Sequence, residues 1–348
     1  MTKSSSKRIT LGLFLLFSHM ASAVDGVVEI NHTCATQLGC FSGDTAGYPV
    51  QINGTAGNSY RLTSNLVIPN SSLGIHIITS HISIDLNGFS IIGEGCVGQQ
   101  TNCTPTTGFS DGIYALSSNS IHIKNGSIIG MGGSGLVVDS GATIENINAR
   151  WNKSTGIAAS SNSIIKKCHT MENGRNGIHS LGSSIIKENI SFNNTLVGII
   201  GSDNSIISNN TVSGNNSHGI ETNDGSIMKH NIIKGNAGFG IQSNDGANIH
   251  DNIITNNSAG GIDTHKGGRV KGNTVMNNTG IGISVNSSSL VVENSIRGNS
   301  GFGLSFFGTQ SNYYGNLISV NTAGQINLEF ANSSIDSGQN TCNLTSCP

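Results

Sequence analysis

Residues 219–239 read GIETNDGSIMKHNIIKGNAGF, and Gly240-Ile241 begins the pattern again. A glycine followed by Ile or Leu stands at Gly135, Gly156, Gly177, Gly198, Gly219, Gly240, Gly261, Gly282 and Gly303, a step of 21 without a slip. Gly324 keeps the step but breaks the dipeptide, with Gln325 before Ile326. An asparagine column from Asn152 to Asn299 runs at the same interval. A period this short and this regular is the mark of a solenoid, one structural unit per repeat.

With the glycine as position 0, position 1 is Ile or Leu. Position 9 holds Ile165, Ile186, Ile207, Met228, Ile249, Val270 and Val291, and position 14 runs from Thr170 to Ile296. The β-branched stretches are three to five residues long and are separated by Gly, Asn or Ser. No 3.6-residue period is sustained. A 21-residue unit of three short strands is one turn of a parallel β-helix, each strand pairing with its equivalent about 4.8 Å above and below. A leucine-rich repeat of similar length would need a leucine spacing and a helical segment that are missing.

Two asparagine columns follow. Position 17 is unbroken, and position 12 reads Cys168, Asn189, Asn210, Asn231, Asn252, Asn273 and Asn294. Asn tolerates left-handed backbone at bends, and its amide carries both donor and acceptor, so stacked asparagines are expected to bond from coil to coil. Cys168 then reads as a buried small residue in the Asn column.

The ends carry other signals. Lys3, Lys7 and Arg8 precede the apolar run Leu11–Phe17 and the small-residue site Ala21-Ser22-Ala23, so residues 1–23 read as a secretory signal. The run is too short to span a bilayer. The full chain has 17 Lys+Arg against 19 Asp+Glu; the leader holds three of the cations and no acid, which leaves the mature chain at −5. That field does not point to nucleic acid. Cys34/Cys40, Cys96/Cys103 and Cys342/Cys347 are close pairs, read as three local disulfides of an exported chain. The spacings do not suit zinc. Residues 24–59 and 327–348 read as caps on a single β-helix domain over 60–326, covering strand edges that a solenoid otherwise exposes.

The repeated form GI…S…I..N.I..N, preceded by YRLTSNLVI at 60–68 and ISIDLNGFSIIG at 82–93, resembles the right-handed parallel β-helix proteins of the pectin-lyase-like superfamily. The resemblance covers about residues 60–330. It implies an all-β, right-handed coil and an exported, periplasmic or surface protein that meets polysaccharide. It does not transfer an activity. Ser217-His218-Gly219 and Arg269-Val270-Lys271 echo two polygalacturonase motifs, but the N-T-D and D-D motifs are missing, and so is the D-P-H-D of alginate epimerases. Glycoside hydrolysis needs its carboxylate pair.

Two outward strips remain. Lys166, Lys187, Lys229 and Lys271 share position 10 with His250 and Ser208, a row of amines able to grip an acidic polysaccharide. Lysines on exposed strands also simply blunt aggregation. Asp203, Asp224 and Asp245 share position 5 on three consecutive coils, followed by Lys266. Like charges stacked at strand spacing repel, and a shared Ca2+ would relieve them. With Lys266 or Arg269 as base, that is the logic of β-elimination on a uronate. The same aspartates also suit plain turns. Glu221, Asp263 and His179 lie nearby at position 2. His218 falls in an otherwise apolar column and reads as packed, and Trp151 reads as a gap-filler before a sugar platform. Polysaccharide binding is therefore favoured over catalysis, with a calcium-assisted lyase and a purely structural or adhesive solenoid as the other readings.

Overall fold

The computed structural model describes residues 26–55, 57–94, 96, 110–328, 334–343 and 345–347. Its strands form two parallel sheets, one of 13 strands with a single strand per coil and one of 26 with two. Register advances by one repeat: Ile220 pairs with Ile241, Met228 with Ile249, and Ile233 with Ile254. The result is an all-β solenoid of about 13 turns.

The alternation within each three-residue strand sets which side chains point inward. Strand Ile220–Thr222 buries its first and third residues; Ile227–Lys229 and Ile232–Lys234 bury only the middle one. Positions 1, 3, 9 and 14 therefore make the core, and Ile165, Ile186, Ile207, Ile249 and Ile254 are fully buried. Each such isoleucine contributes about 1.5–3 kcal/mol on transfer from water. The repeating glycine is set by space. A Cβ on Gly219 would sit 2.7 Å from the carbonyl oxygen of Gly240.

Both asparagine columns are buried ladders. Asn236 shows the unit: its Oδ1 accepts the backbone N–H of Asn215 at 3.0 Å and the Asn215 amide at 2.9 Å. Its Nδ2 donates to Asn257 Oδ1 at 3.0 Å and to the Val212 carbonyl at 3.4 Å. Every donor and acceptor of the amide is satisfied, as burial demands. Cys168 begins the position 12 ladder, its N–H donating to Asn189 Oδ1 at 2.8 Å. It is free and buried, and burial pushes its thiol up to about 12. A third ladder was not foreseen: Ser163, Ser184, Ser205 and Ser226 at position 7 accept the N–H of the coil before.

One expectation about the ladders is corrected. The asparagines that stack are not the left-handed residues. Positive φ falls one residue earlier, at Lys167, Glu188, Asn209, His230 and Asp251, and again at Glu172, Asn193, Asn256 and Asn277. The bend is made by that preceding residue, which turns the next one inward. The ladder asparagine is chosen for its amide.

The ends close differently. Strand Val28–Ile30 pairs in parallel with Ser59–Leu62, and helix His32–Gln37, capped by Asn31, lays Ala35 on the core. Segment 24–59 thus supplies rungs as well as cover. Cys34 and Cys40 are bridged beside it. At the other end Thr341–Cys342 pairs in parallel with Leu317–Ser319 and antiparallel with Thr345–Ser346, and the Cys342–Cys347 disulfide clasps that hairpin. Cys96 is disulfide-bonded; Cys103 and the leader lie outside the described residues. Among the described residues no helix is long and apolar enough to cross a membrane.

Candidate functional site

The outward position 10 column of the 26-stranded sheet continues further than the repeat itself shows. In register it reads Glu29, Arg61, Asp85, Lys124, Glu145 and Lys166, six charges of alternating sign. Three ion pairs tie them: Arg61–Glu29 at 3.3 Å, Lys124–Asp85 at 3.6 Å and Lys166–Glu145 at 3.0 Å. The hydrogen bond from Lys166 holds Glu145 below the usual carboxylate range. From there the column carries Lys187, Ser208, Lys229, His250 and Lys271. Lys271 is again paired, to Glu293 at 3.3 Å. The four lysines singled out in the sequence do share one line, but its two ends are already engaged. Lys187 and Lys229 have no ion-pair partner among the described residues. Ile185, Ile206 and Ile227 point outward beside them on the same strands, so the amines rise from an apolar shelf.

A second strip lies on the 13-stranded sheet. Its outward position 2 column brings His179, Ile200, Glu221, Gln242, Asp263 and Ser284 into register. Ser284 Oγ donates to Asp263 Oδ1 at 2.8 Å. His218 flanks this strip. Its ring stacks on Phe239 at 5.9 Å between centroids, and Nδ1 accepts the Phe239 N–H at 3.0 Å. Burial lowers the pKa of both His179 and His218; Glu221 opposes the shift at each, and Asp263 does so at His218. Because Nδ1 of His218 accepts the Phe239 N–H, its neutral ring carries the proton on Nε2 and presents a donor there. His218 is packed, as its column implied. Its coupling to Glu221 went unread because that coupling crosses the glycine between turn and strand.

Asp203, Asp224 and Asp245 are exposed and aligned. Oδ1 of each accepts the backbone N–H of the same position in the next coil, on Asp224 at 3.3 Å, Asp245 at 3.1 Å and Lys266 at 3.1 Å. One oxygen of each carboxylate is therefore engaged in the turn. Among the described residues no three His, Cys, Asp or Glu side chains converge as a metal cluster. Lys266 sits at the end of the Asp row and Arg269 opens the next strand of the other sheet; both are exposed. Neither joins the His179–Asp263 strip. Trp151 is half-buried, with the Arg150 guanidinium 4.5 Å over its ring and its indole N–H on Glu172. One of its faces is thus covered.

Residues 139–274 match the family described as "Right handed beta helix region". The chain is similar in structure to the Azotobacter vinelandii mannuronan C-5 epimerase AlgE4 A-module, at 14% identity and a TM-score of 0.58, over 90% of this chain and 89% of that one. It is also similar to a variant of the periplasmic alginate epimerase AlgG (14%, 0.53, 81% and 77%) and to the Dettilon tailspike protein (14%, 0.50, 89% and 68%). No curated protein matches the chain by sequence. At these identities the likeness is one of fold. The chain has the fold of a right-handed parallel β-helix protein.

Proposed function

We propose that the protein is exported and binds an acidic polysaccharide laid lengthwise on the 26-stranded sheet. The observation that carries this is the break in the position 10 column. Up to Lys166 its charges neutralise one another, and at Lys187 and Lys229 they stop doing so. Amines repeating along a line match a polymer whose own charges repeat along a line, and the isoleucines beside them offer apolar contact to sugar rings. Such a partner is consistent with the fold's likeness to an alginate epimerase and a mannuronan C-5 epimerase.

Binding to an array of acidic and neutral polysaccharides tests this. Acidic chains should bind, more weakly as salt rises, and Lys187→Ala with Lys229→Ala should remove most of the affinity. Equal binding by neutral chains, or by the double variant, would refute it. Processing is a second reading, favoured by the outward column that sets His179, Glu221 and Asp263 in one line on the 13-stranded sheet, with His218 flanking it. Unsaturated or epimerised product that disappears in Glu221→Gln would establish it. The calcium-assisted lyase reading rests instead on Asp203, Asp224 and Asp245 with Lys266 or Arg269, and requires product formation to depend on Ca2+.

A further inference from the structure

The outward position 10 column runs through eleven consecutive rungs from Glu29 to Lys271, and Lys166 is the sixth. Counted from Lys166 toward the N-terminus, the odd steps are Glu145, Asp85 and Glu29. Counted toward the C-terminus, the odd steps are Lys187, Lys229 and Lys271. The column is thus antisymmetric in charge about its middle. The change falls between Lys166 and Lys187, where two cations follow one another. Had the alternation run on, acids would stand at those three lysines, and a reversed copy of the column would meet like with like at every rung. The break that frees the lysines is also what makes the column complementary to itself when reversed.

Two-fold symmetry supplies that reversal. An axis lying in the contact plane and crossing the column at Lys166 lays two copies antiparallel, face to face, and sets column on column. Lys187 then faces Glu145, Lys229 faces Asp85 and Lys271 faces Glu29, and each contact occurs twice. Ser208 faces Lys124. His250 faces Arg61, and Asp251, 2.8 Å from Nδ1 of His250, stands beside that contact. Only the centre sets like against like, and there Glu145 already holds Lys166 at 3.0 Å and Lys167 at 3.7 Å. The neighbouring outward column adds apolar contact at the axis, where Ile164 meets its own copy and Ile185 meets Thr143. The charged side chains of the column are all at least partly exposed. Each exposed ion pair is weak alone, so the contact depends on their acting together.

We infer that this face docks a second copy of the chain, antiparallel, about a two-fold axis through Lys166. The inference goes beyond the polysaccharide reading and does not rest on it. The two meet at Lys187 and Lys229. Acids of the second copy hold the same amines that an acidic polymer would, so polymer and second copy compete for this face.

Sedimentation over a concentration series tests this with no polymer present. Wild-type protein should reach twice its monomer mass in low salt and dissociate as salt rises. Lys229→Glu sets acid against Asp85 and should raise the dimer dissociation constant by at least about tenfold. Glu29→Lys should do the same against Lys271, and adding Lys271→Glu should restore the dimer. Ser208→Lys separates the two readings. Opposite Lys124 it should weaken the dimer, whereas an added amine in the row should not weaken an acidic polymer. Wild-type protein that stays monomeric throughout the series would overturn the interface. So would a dimer indifferent to these charges, or a double variant that is not restored. A dimer that obeys them, in protein that binds no acidic polymer, would uphold the interface and sink the polysaccharide reading. Unchanged far-ultraviolet circular dichroism confirms that each variant is folded.

Discussion

Asn236 has a neighbour with the same side chain and a different fate. It lies in the position 17 ladder, fully buried, with four hydrogen bonds to its amide. Asn216, in the equivalent turn one coil earlier, is exposed. Replacing Asn236 by Ala strands the Asn215 donors and leaves Asn257 Oδ1 with one partner fewer. The expected loss is about 1–3 kcal/mol in urea unfolding, with Asn216→Ala within about 0.5 kcal/mol of wild type. Equal effects of the two changes would show that the ladder does not stabilise the fold. The same contrast limits what residue type discloses. In Asn193-Asn194 and Asn209-Asn210 the first residue turns the chain at positive φ and the second joins the ladder. Only register separates them, and Lys167, Glu188 and His230 show that the turning position does not require Asn at all.

Among the elements, the turn between the two sheets carries the aspartates. Each Oδ1 accepts an N–H from the next coil, a bond that an asparagine Oδ1 would make equally well. Asp224→Asn should therefore keep the turn and relieve repulsion from Asp203 and Asp245, leaving the melting temperature in chelator unchanged or raised. Calcium shared by the three would instead stabilise wild-type protein by about 2.7 kcal/mol at a hundredfold excess over its dissociation constant. Asp224→Asn would then lose most of that gain. A melt indifferent to Ca2+ removes the metal, and with it the lyase reading. The strands themselves were legible, because inward side chains obey a strict phase in every coil. The charge partners of the lysines were legible only in part: Glu145 precedes Lys166 by the regular 21 residues, whereas the step from Asp85 to Lys124 departs from it, and pairing across that gap appears only when the strands are aligned.

For the whole molecule, pH is the simplest probe. Burial lowers the pKa of His122, His179 and His218 below the ordinary 6.5. The unfolded chain therefore takes up protons at these sites before the folded one does. Their contribution is intact above about pH 6.5 and is lost as pH falls through the depressed folded values. Glu145, also lowered, adds a loss of the same sign below its ordinary 4.5, whereas Asp111, raised by burial, acts oppositely. Denaturant midpoints should thus fall on moving from about pH 7.5 to 5.5, the range in which histidines titrate. His218→Asn should flatten part of that slope while keeping the fold, since Asn176 in the same column already accepts the next coil's N–H at 3.1 Å. A slope unchanged by the substitution would assign the effect elsewhere. The ladders have a further implication at this scale. Their amide-to-amide bonds all run toward the C-terminus, and each stack is terminated by a single acceptor: Gln325 Oε1 takes the Asn321 amide at 3.0 Å, and Asp336 takes that of Asn340 at 2.6 Å. The residue that spoils the Gly-Ile dipeptide is thus the stopper of one stack. Because the stoppers lie outside the repeating body, a whole coil spliced in at Gly240 would meet the same donors and acceptors it left. The molecule is in effect a rod sold by the turn, its reach adjustable in steps of about 4.8 Å without disturbing either end.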